Sequence, residues 1–490
     1  MRWHVLKFRS HASSHETRER VPKYQTDPSR KKLLMIGTQK TLGRQRGRLA
    51  ENPPKPPIRA RAIPARIAVR QLFHVESFNY YLLLGTTLFM VGLGLTMVLS
   101  SSFIDSHTAG NSFFAVFGKQ SASALVGIPL MLVIAQIPST FWKKHARLLL
   151  IAACVLQLLV LNTPLGMQVG GNRNWLRLGS FSLQPSEVLK IALTIWVSMF
   201  LVKRSKKITD WKHSLLPVVL VAGTVIGLVT IGGDLGTTII MGGMLLGALF
   251  VAGTPLKHLA LTFGVASVVA VLLAVSRPNR LIRILAFLNP GSADPTGAGW
   301  QIQNGYYALA SGGVFGVGLG NSKSKWGWLP AADTDFIFAV IGNELGLIGT
   351  VLVLFLFAVL AVVLLRIIGT TTDRFARITT AAITAWIIGE AAVNIAVVLG
   401  LLPVLGVPLP LFSSGGTALV STLAAIGIVL SFERESKRRN TQAPPDKRVR
   451  VRNVTGDVRG AEADIHTPTR SSLNGSLNRV LTGEKVHDLA

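Results

Sequence analysis

The chain has 490 residues, 49% hydrophobic and only 15% charged, yet 51 Lys and Arg stand against 23 Asp and Glu, a formal net charge of +28. A soluble protein of this length would spread its apolar residues over amphipathic periods, whereas here they gather into runs near 20 residues, enough to cross a bilayer core about 30 Å thick. That pattern excludes a soluble enzyme, and the single cysteine, Cys154, excludes a disulfide within the chain and reads as a small buried apolar residue.

The first 78 residues are polar and rich in Arg and Pro, as in ENPPKPPIRARAIPAR, with too little hydrophobicity to fold alone. They are expected to be a disordered basic leader without a cleaved signal segment. Residues 79–433 hold about ten apolar spans, near 79–100, 116–137, 147–162, 186–202, 214–232, 235–252, 259–276, 344–366, 378–402 and 415–432. Residues 434–490 form a second basic tail, also expected to be disordered. Both tails suit the anionic inner leaflet better than nucleic acid, because no folded nucleic-acid motif accompanies their charge. The fold class is an all-α polytopic membrane protein. Lys and Arg concentrate in the connections at 140–147, 203–213, 254–258 and 366–377, which places these and both termini in the cytoplasm. The connections at 101–115, 163–185, 233–234, 277–343 and 403–414 are then external.

In chain order, the first chemically loaded stretch is GGNRNWLRLGSFSLQPSE (170–187). Arg173 and Arg177 flank Trp175; such residues commonly anchor at headgroups, and two arginines beside a tryptophan also suit a diphosphate joined to a sugar. Pro185 fits a first helical turn, so a helix starts here at the outer face. Glu187 and Lys190 share a helical face and can pair, either as a structural salt bridge or around a substrate's polar head. Asp234, Glu344 and Glu390 also fall at or within spans, where an ionised group costs about 2.5–3.5 kcal/mol at the bilayer centre. Asp234 and Glu344 lie near span ends and are expected to reach the interface.

The external stretch 277–343 exceeds the usual loop length and is expected to be functional. Its apolar pieces, LIRILAFL (281–288) and GYYALASGGVFGVGLG (305–320), are expected to form short amphipathic helices at the membrane surface. It ends in LPAADTDFIF, which sets Asp333 and Asp335 against Phe336, Ile337 and Phe338. One of Asp333, Thr334 and Asp335 is expected to cap the following helix. That leaves an acid beside apolar side chains, where partial burial raises its pKa as a general base near neutrality requires. Finally, LPVLGVPLPLFSSGGTALV (402–420) places prolines, glycines, Ser413 and Ser414 before the last span, and irregular backbone at that depth lines a cavity.

Four stretches, NWLRLGSFSLQPSEVLKIAL, DLGTTIIM, QIQNGYYALASGGVFGVGLGNSKSKWGWLPAADTDFIFAVIGNELGLIG and LLPVLGVPLPLFSSGGT, occur in the order found in the SEDS family of shape, elongation, division and sporulation proteins. The chain resembles that family from about 79 to 432, and its SSGGT and long basic tails are most similar to the division-type, FtsW branch of actinobacteria. The resemblance implies a peptidoglycan glycosyltransferase that polymerises lipid II at the outer face of the cytoplasmic membrane during septal wall synthesis. It implies Asp335 as the base that takes the proton of an acceptor 4-hydroxyl during one inverting displacement. Arg173, Lys190 and Arg177 would stabilise the departing diphosphate, with Mg or Mn as a candidate divalent cation. Further substrate contacts would come from Trp175, Glu187, Asp234, Gln303, Lys325, Asp333, Ser413 and Ser414. The implied partners are a class B penicillin-binding transpeptidase and other division proteins. Departures are local: LPAADTDF stands where relatives commonly read LPEAHTDF, Asn174 replaces an arginine, Glu390 a glutamine, Leu405 a threonine and Ser414 a tyrosine. Asp333 is then either a cap or a like charge that raises the pKa of Asp335. The competing functions are a lipid II flippase, an elongation-type glycosyltransferase and a scaffold for the transpeptidase.

Overall fold

The computed structural model describes residues 76–108, 112–169, 172–179, 181–289, 298–326 and 328–442. The expectations for the basic leader, and for the tail beyond 442, lie outside these residues. Twelve longer helices and one small sheet make up the described chain: α1 (Phe78–Thr108), α2 (Ala115–Ile134), α3 (Ser139–Asn162), β1 (Gly166–Val169), β2 (Asn172–Leu178), β3 (Phe181–Leu183), α4 (Pro185–Lys203), α5 (Leu216–Ile231), α6 (Leu235–Ala252), α7 (Leu256–Val275), α8 (Pro278–Leu288), α9 (Ala298–Gly312), α10 (Ile337–Thr370), α11 (Arg374–Val398) and α12 (Gly416–Gln442).

Among the described residues nine of these helices are long and apolar enough to cross a membrane. The tenth expected span is α5, which at 16 residues rises only about 24 Å. A five-residue π-helical turn, Trp211–Leu215, directly precedes it. Local signals set the ends. Pro185 occupies the first turn of α4, Asp234 caps α6 by accepting from Thr237 N (2.9 Å), and Asp373 caps α11 by accepting from Phe375 N (2.8 Å). α4, α11 and α12 are the innermost helices, whereas α7 turns nearly its whole apolar surface outward, with Thr262 its one buried residue. Outward apolar surface of that kind is what hydrocarbon solvates.

The polar groups sort to the two ends of the bundle as the charge pattern predicts. At one end Lys143 pairs with Asp373 (2.6 Å), Arg434 with Glu76 (3.0 Å), and Glu435 accepts from Ser139 N (2.9 Å). Each of these residues belongs to a segment assigned to the cytoplasm, except Ser139, which directly precedes one. The opposite end gathers the sheet, α8, α9 and the Pro-rich stretch after α11.

Two features differ from the sequence expectation. Within the stretch 163–185, expected only as an external connection, β1–β2–β3 form an antiparallel sheet, with Met167 opposite Trp175 and Leu176 opposite Leu183. Its period-two alternation, with Asn174 and Leu176 buried and Arg173 and Arg177 exposed, is short enough to be hidden beside the apolar spans. The span expected at 344–366 begins earlier, at Ile337, and is broken at Gly346, whose φ of 66° and ψ of −160° lie outside helical space. The segment after α9 fills the break: Val317 N donates to Asn343 O and Gly318 N to Glu344 O (both 3.0 Å), while Leu347 N donates to Gly313 O (3.0 Å). A side chain at Gly346 would run into the Val314 and Gly316 backbone, so only glycine fits.

Candidate active site

The segment Asp333–Thr334–Asp335 leads into the buried Phe336, Ile337 and Phe338. None of the three caps α10, contrary to expectation: Phe336 takes the capping position and no side chain bonds there. Instead the segment is held by its carbonyls. Asp333 O accepts from Ser414 N (2.8 Å), Thr334 O from Ser413 Oγ (2.7 Å) and Asp335 O from Asn394 Nδ2 (2.8 Å). Asn394 also donates to Val407 O (2.7 Å), and Ser413 Oγ accepts from Leu409 N (2.7 Å). Donors from α11 and the 402–415 stretch thus immobilise three successive residues, and the Asp335 carboxylate is left free of capping duty. Upstream, Ala331 closes the turn with φ of 56°, its carbonyl accepting from Thr334 N (3.2 Å) and Phe336 N (3.1 Å). A non-glycine residue in that region stores roughly 1–3 kcal/mol of strain, a cost typical of functional sites.

Asp335 is half-buried, and a Cβ placed on Gly406 would lie 3.8 Å from its Oδ2. Desolvation pushes its pKa up to about 6; Arg283 opposes the rise, while Asp333 and Asp234 add to it. Asp333 itself is engaged by Ser414 Oγ (2.5 Å). Its action on Asp335 is the like-charge effect, and its expected role as a cap is not what it does. Leu405, the neighbour of Gly406, lines a cavity of about 630 Å³ together with Gln301, Pro330, Val271, Ile239 and the three arginines Arg277, Arg280 and Arg283 of α8 and its start. Asp335 therefore stands beside a cavity whose wall is part hydrocarbon and part guanidinium.

The other expected contacts are scattered. Arg173 and Arg177 are exposed and Trp175 half-exposed on one side of β2, and Arg173 donates to Thr163 O (2.7 Å). They do not line this cavity. The buried Asn174, where relatives commonly carry arginine, has its amide against Gly232 O and so seats the sheet on the turn before α6. Lys190 is buried and committed within the protein, to Glu187 (2.8 Å) and Glu390 (3.3 Å), with its ammonium 4.4 Å from the Trp386 ring centre. Glu187 further accepts from Ser421 Oγ and Glu390 from Trp386 Nε1 (both 2.6 Å). The pair expected from the i,i+3 spacing is real, with Glu390 as a third member.

Asp234 does not reach outward as expected. It is buried, with its carboxylate taken by Thr237 and by Gln184 Nε2 (3.1 Å), and desolvation raises its pKa. Glu344 is likewise buried rather than interfacial, accepting from Lys325 (3.1 Å) and Ser100 Oγ (2.5 Å) beside the Gly346 break. Lys325 is thereby enclosed in that network. Gln303 is exposed and donates to Tyr307 Oη (3.0 Å); it is Gln301, two residues earlier, that faces the cavity. Three residues were missed: Asn394, Gln301 and Arg283. The arginines left one trace, the recurrence at 277, 280 and 283, which resembles a membrane-surface pattern until α8 is placed.

The profile of the cell cycle protein family of FtsW, RodA and SpoVE matches residues 80–438. A curated relative in Mycobacterium tuberculosis, named probable peptidoglycan glycosyltransferase FtsW, is 39% identical over 356 residues, covering 73% of this chain and 68% of its own length. Stage V sporulation protein E of Bacillus subtilis is 36% identical over 358 residues, covering 73% and 97%. Among solved structures, a chain of a peptidoglycan synthase complex, described as coordinating polymerization and crosslinking, superposes with a TM-score of 0.61 at 26% identity over 74% of this chain and 98% of its own. The rod shape determining protein RodA of Thermus thermophilus gives 0.55 at 23% identity, covering 74% and 99%, and shares the fold. The match spans the whole described bundle and every motif that builds the site: the chain belongs to the FtsW, RodA and SpoVE family of cell cycle proteins.

Proposed function

We propose that the protein polymerises lipid II into glycan strands at the outer face of the cytoplasmic membrane, as a peptidoglycan glycosyltransferase. The carrying observation is Asp335, half-buried with a pKa near 6, on a pinned segment beside an apolar and arginine-lined cavity. A base with that value is almost wholly ionised at neutral pH and still avid for a proton. Asp335 takes the proton of the acceptor 4-hydroxyl as its oxygen bonds to the donor's anomeric carbon. The bond from that carbon to the diphosphate oxygen breaks, and the diphosphate leaves with the electron pair. One displacement turns an α-linked donor into a β-linked product, so a single base suffices, and the leaving group needs positive charge more than a proton.

Magnesium sites on diphosphates use one or two carboxylates and let the phosphates supply other ligands. Among the described residues no three His, Cys, Asp or Glu side chains converge, while Asp333 and Asp335 are within electrostatic reach of one another. A divalent cation would arrive on the substrate's diphosphate, because Asp333 is already bonded to Ser414 Oγ and Asp335 is kept for the proton. A class B penicillin-binding transpeptidase is the partner this reading requires, in keeping with the likeness to a chain of a complex that coordinates polymerization and crosslinking, and the division septum is its place of work. The basic tails would meet anionic lipid there.

The test is polymerisation of lipid II by purified protein reconstituted with its transpeptidase. Asp335→Asn, folded as wild type, is expected to slow the reaction roughly 10²–10⁴-fold. Equal polymer from both proteins removes Asp335 as the base. No polymer from either, with lipid II moved across vesicles, favours the flippase instead.

A further inference from the structure

Of the three arginines in the cavity wall, two are already occupied. Arg277 donates to Ile231 O (3.3 Å), and Arg280 donates to Leu273 O (2.9 Å) and to Gly233 O. These bonds latch α8 to the end of α7 and to the turn before α6. Arg283, one helical turn further along the same edge, makes no hydrogen bond or ion pair among the described residues, yet it is half-buried. A guanidinium carries five donors in a planar fork, and withdrawing it from water without a partner is costly. Such a group, in a cavity whose wall is largely apolar, with Val271, Ile239 and Leu405 beside the polar Asn172 and Gln301, calls for an anion attached to a hydrocarbon tail.

We propose that Arg283 binds the diphosphate of the lipid-linked donor inside this cavity, beside Asp335. The proposal rests on the glycosyltransferase reading and names the group that receives the leaving group's charge. As the bond to the anomeric carbon breaks, the electron pair stays on the diphosphate oxygen and its added charge falls on the guanidinium. Arg173, Arg177 and Lys190 are not needed for this, being outside the cavity wall or already paired.

A coupling follows from the same geometry. The charges facing Asp335 are Arg283 from α8, Asp333 from its own segment and Asp234 from the turn before α6. Burial raises the Asp335 carboxyl, Arg283 draws it down, and the two acids add to the rise. A bound diphosphate neutralises Arg283, and Asp335 becomes a stronger base only once the donor is seated.

The experiment uses the full chain in nanodiscs, titrated with undecaprenyl diphosphate and followed by intrinsic tryptophan fluorescence. Undecaprenyl monophosphate and phosphatidylglycerol serve as control ligands. Arg283→Gln is expected to weaken diphosphate binding about 10–100-fold, with Arg283→Lys between it and wild type, at unchanged thermal midpoint. In the polymerisation assay Arg283→Gln should raise KM and shift the acid limb of the pH profile upward. Diphosphate binding by Arg283→Gln equal to wild type overturns the proposal. So does an equal loss of phosphatidylglycerol binding, which would mark a general headgroup contact. A wild-type protein that binds the diphosphate through Arg283 but makes no polymer would keep the subsite and sink the glycosyltransferase reading. Polymer from wild type with binding indifferent to Arg283 would do the reverse.

Discussion

Asp335 differs from Asp333, two residues away, chiefly in what holds it. Asp333 has its carboxylate on Ser414, whereas Asp335 is held only by its backbone and keeps its oxygens for chemistry. The elevated pKa has two opposite consequences for pH. With Asp335 as the proposed base, kcat/KM is expected to fall tenfold per unit below about pH 6 and to level off above it. Stability runs the other way. The unfolded group titrates near 3.8 and the folded one near 6, so the folded state binds more protons in that window and loses stability as pH rises through it. Asp335→Asn removes that cost and is expected to stabilise the inactive protein at pH 7 by roughly 1–3 kcal/mol, and far less at pH 4. Thermal midpoints at the two pH values check this; no gain at pH 7 would mean that the carboxylate is solvated in the folded state. The position of Asp335 was legible from its apolar neighbours. Its restraint by Asn394 was not, because an asparagine 59 residues away on an apolar helix has no local signature.

Helices α4, α11 and α12 meet around Lys190, which balances only one of the two carboxylates it touches. This makes the two ends of the pairing unequal. Lys190→Met leaves Glu187 and Glu390 buried together without a cation and is expected to cost about 3–5 kcal/mol, or to abolish folding. Glu390→Gln keeps the Glu187 pair and an oxygen for Trp386 Nε1, and should stay within about 1 kcal/mol of wild type or exceed it. Denaturation in detergent distinguishes them, and a severe loss from Glu390→Gln would show that the second carboxylate is required. The Glu187–Lys190 pair was readable from its spacing, since three residues along one helix are neighbours by geometry. Glu390 could not be assigned to it, because the contact spans 200 residues. The break at Gly346 was equally hidden: it exists because the segment after α9 supplies the missing partners.

At the scale of the molecule, the bundle separates an end held by ion pairs, which the charge pattern assigns to the cytoplasm, from the opposite end, which carries the sheet, α8, α9 and the candidate site. With Cys154 replaced by serine, a cysteine at Arg177 is expected to react with an impermeant maleimide from outside intact cells. One at Lys206 should react only after permeabilisation. The reverse pattern would invert the topology and put Asp335 on the wrong side for an outer-face substrate. The polytopic plan was visible, nine of the ten expected spans being long and apolar enough among the described residues, because a run of about 20 apolar residues has one stable arrangement in a bilayer.

The sequence by itself determined the polytopic helical class, the separation of a basic end of the bundle from the end that carries LPAADTDF, and the family, because these depend on composition and local order. The tertiary structure decided which polar groups line the cavity and which face one another. It removed Lys190, Lys325, Asp234 and Glu344 into internal networks, turned Arg173 and Arg177 outward, and brought Arg283 toward Asp335. Those outcomes depend on helices packed against partners far away in the chain. A charged residue in a span must find a counter-charge or water somewhere, and only the packing says which.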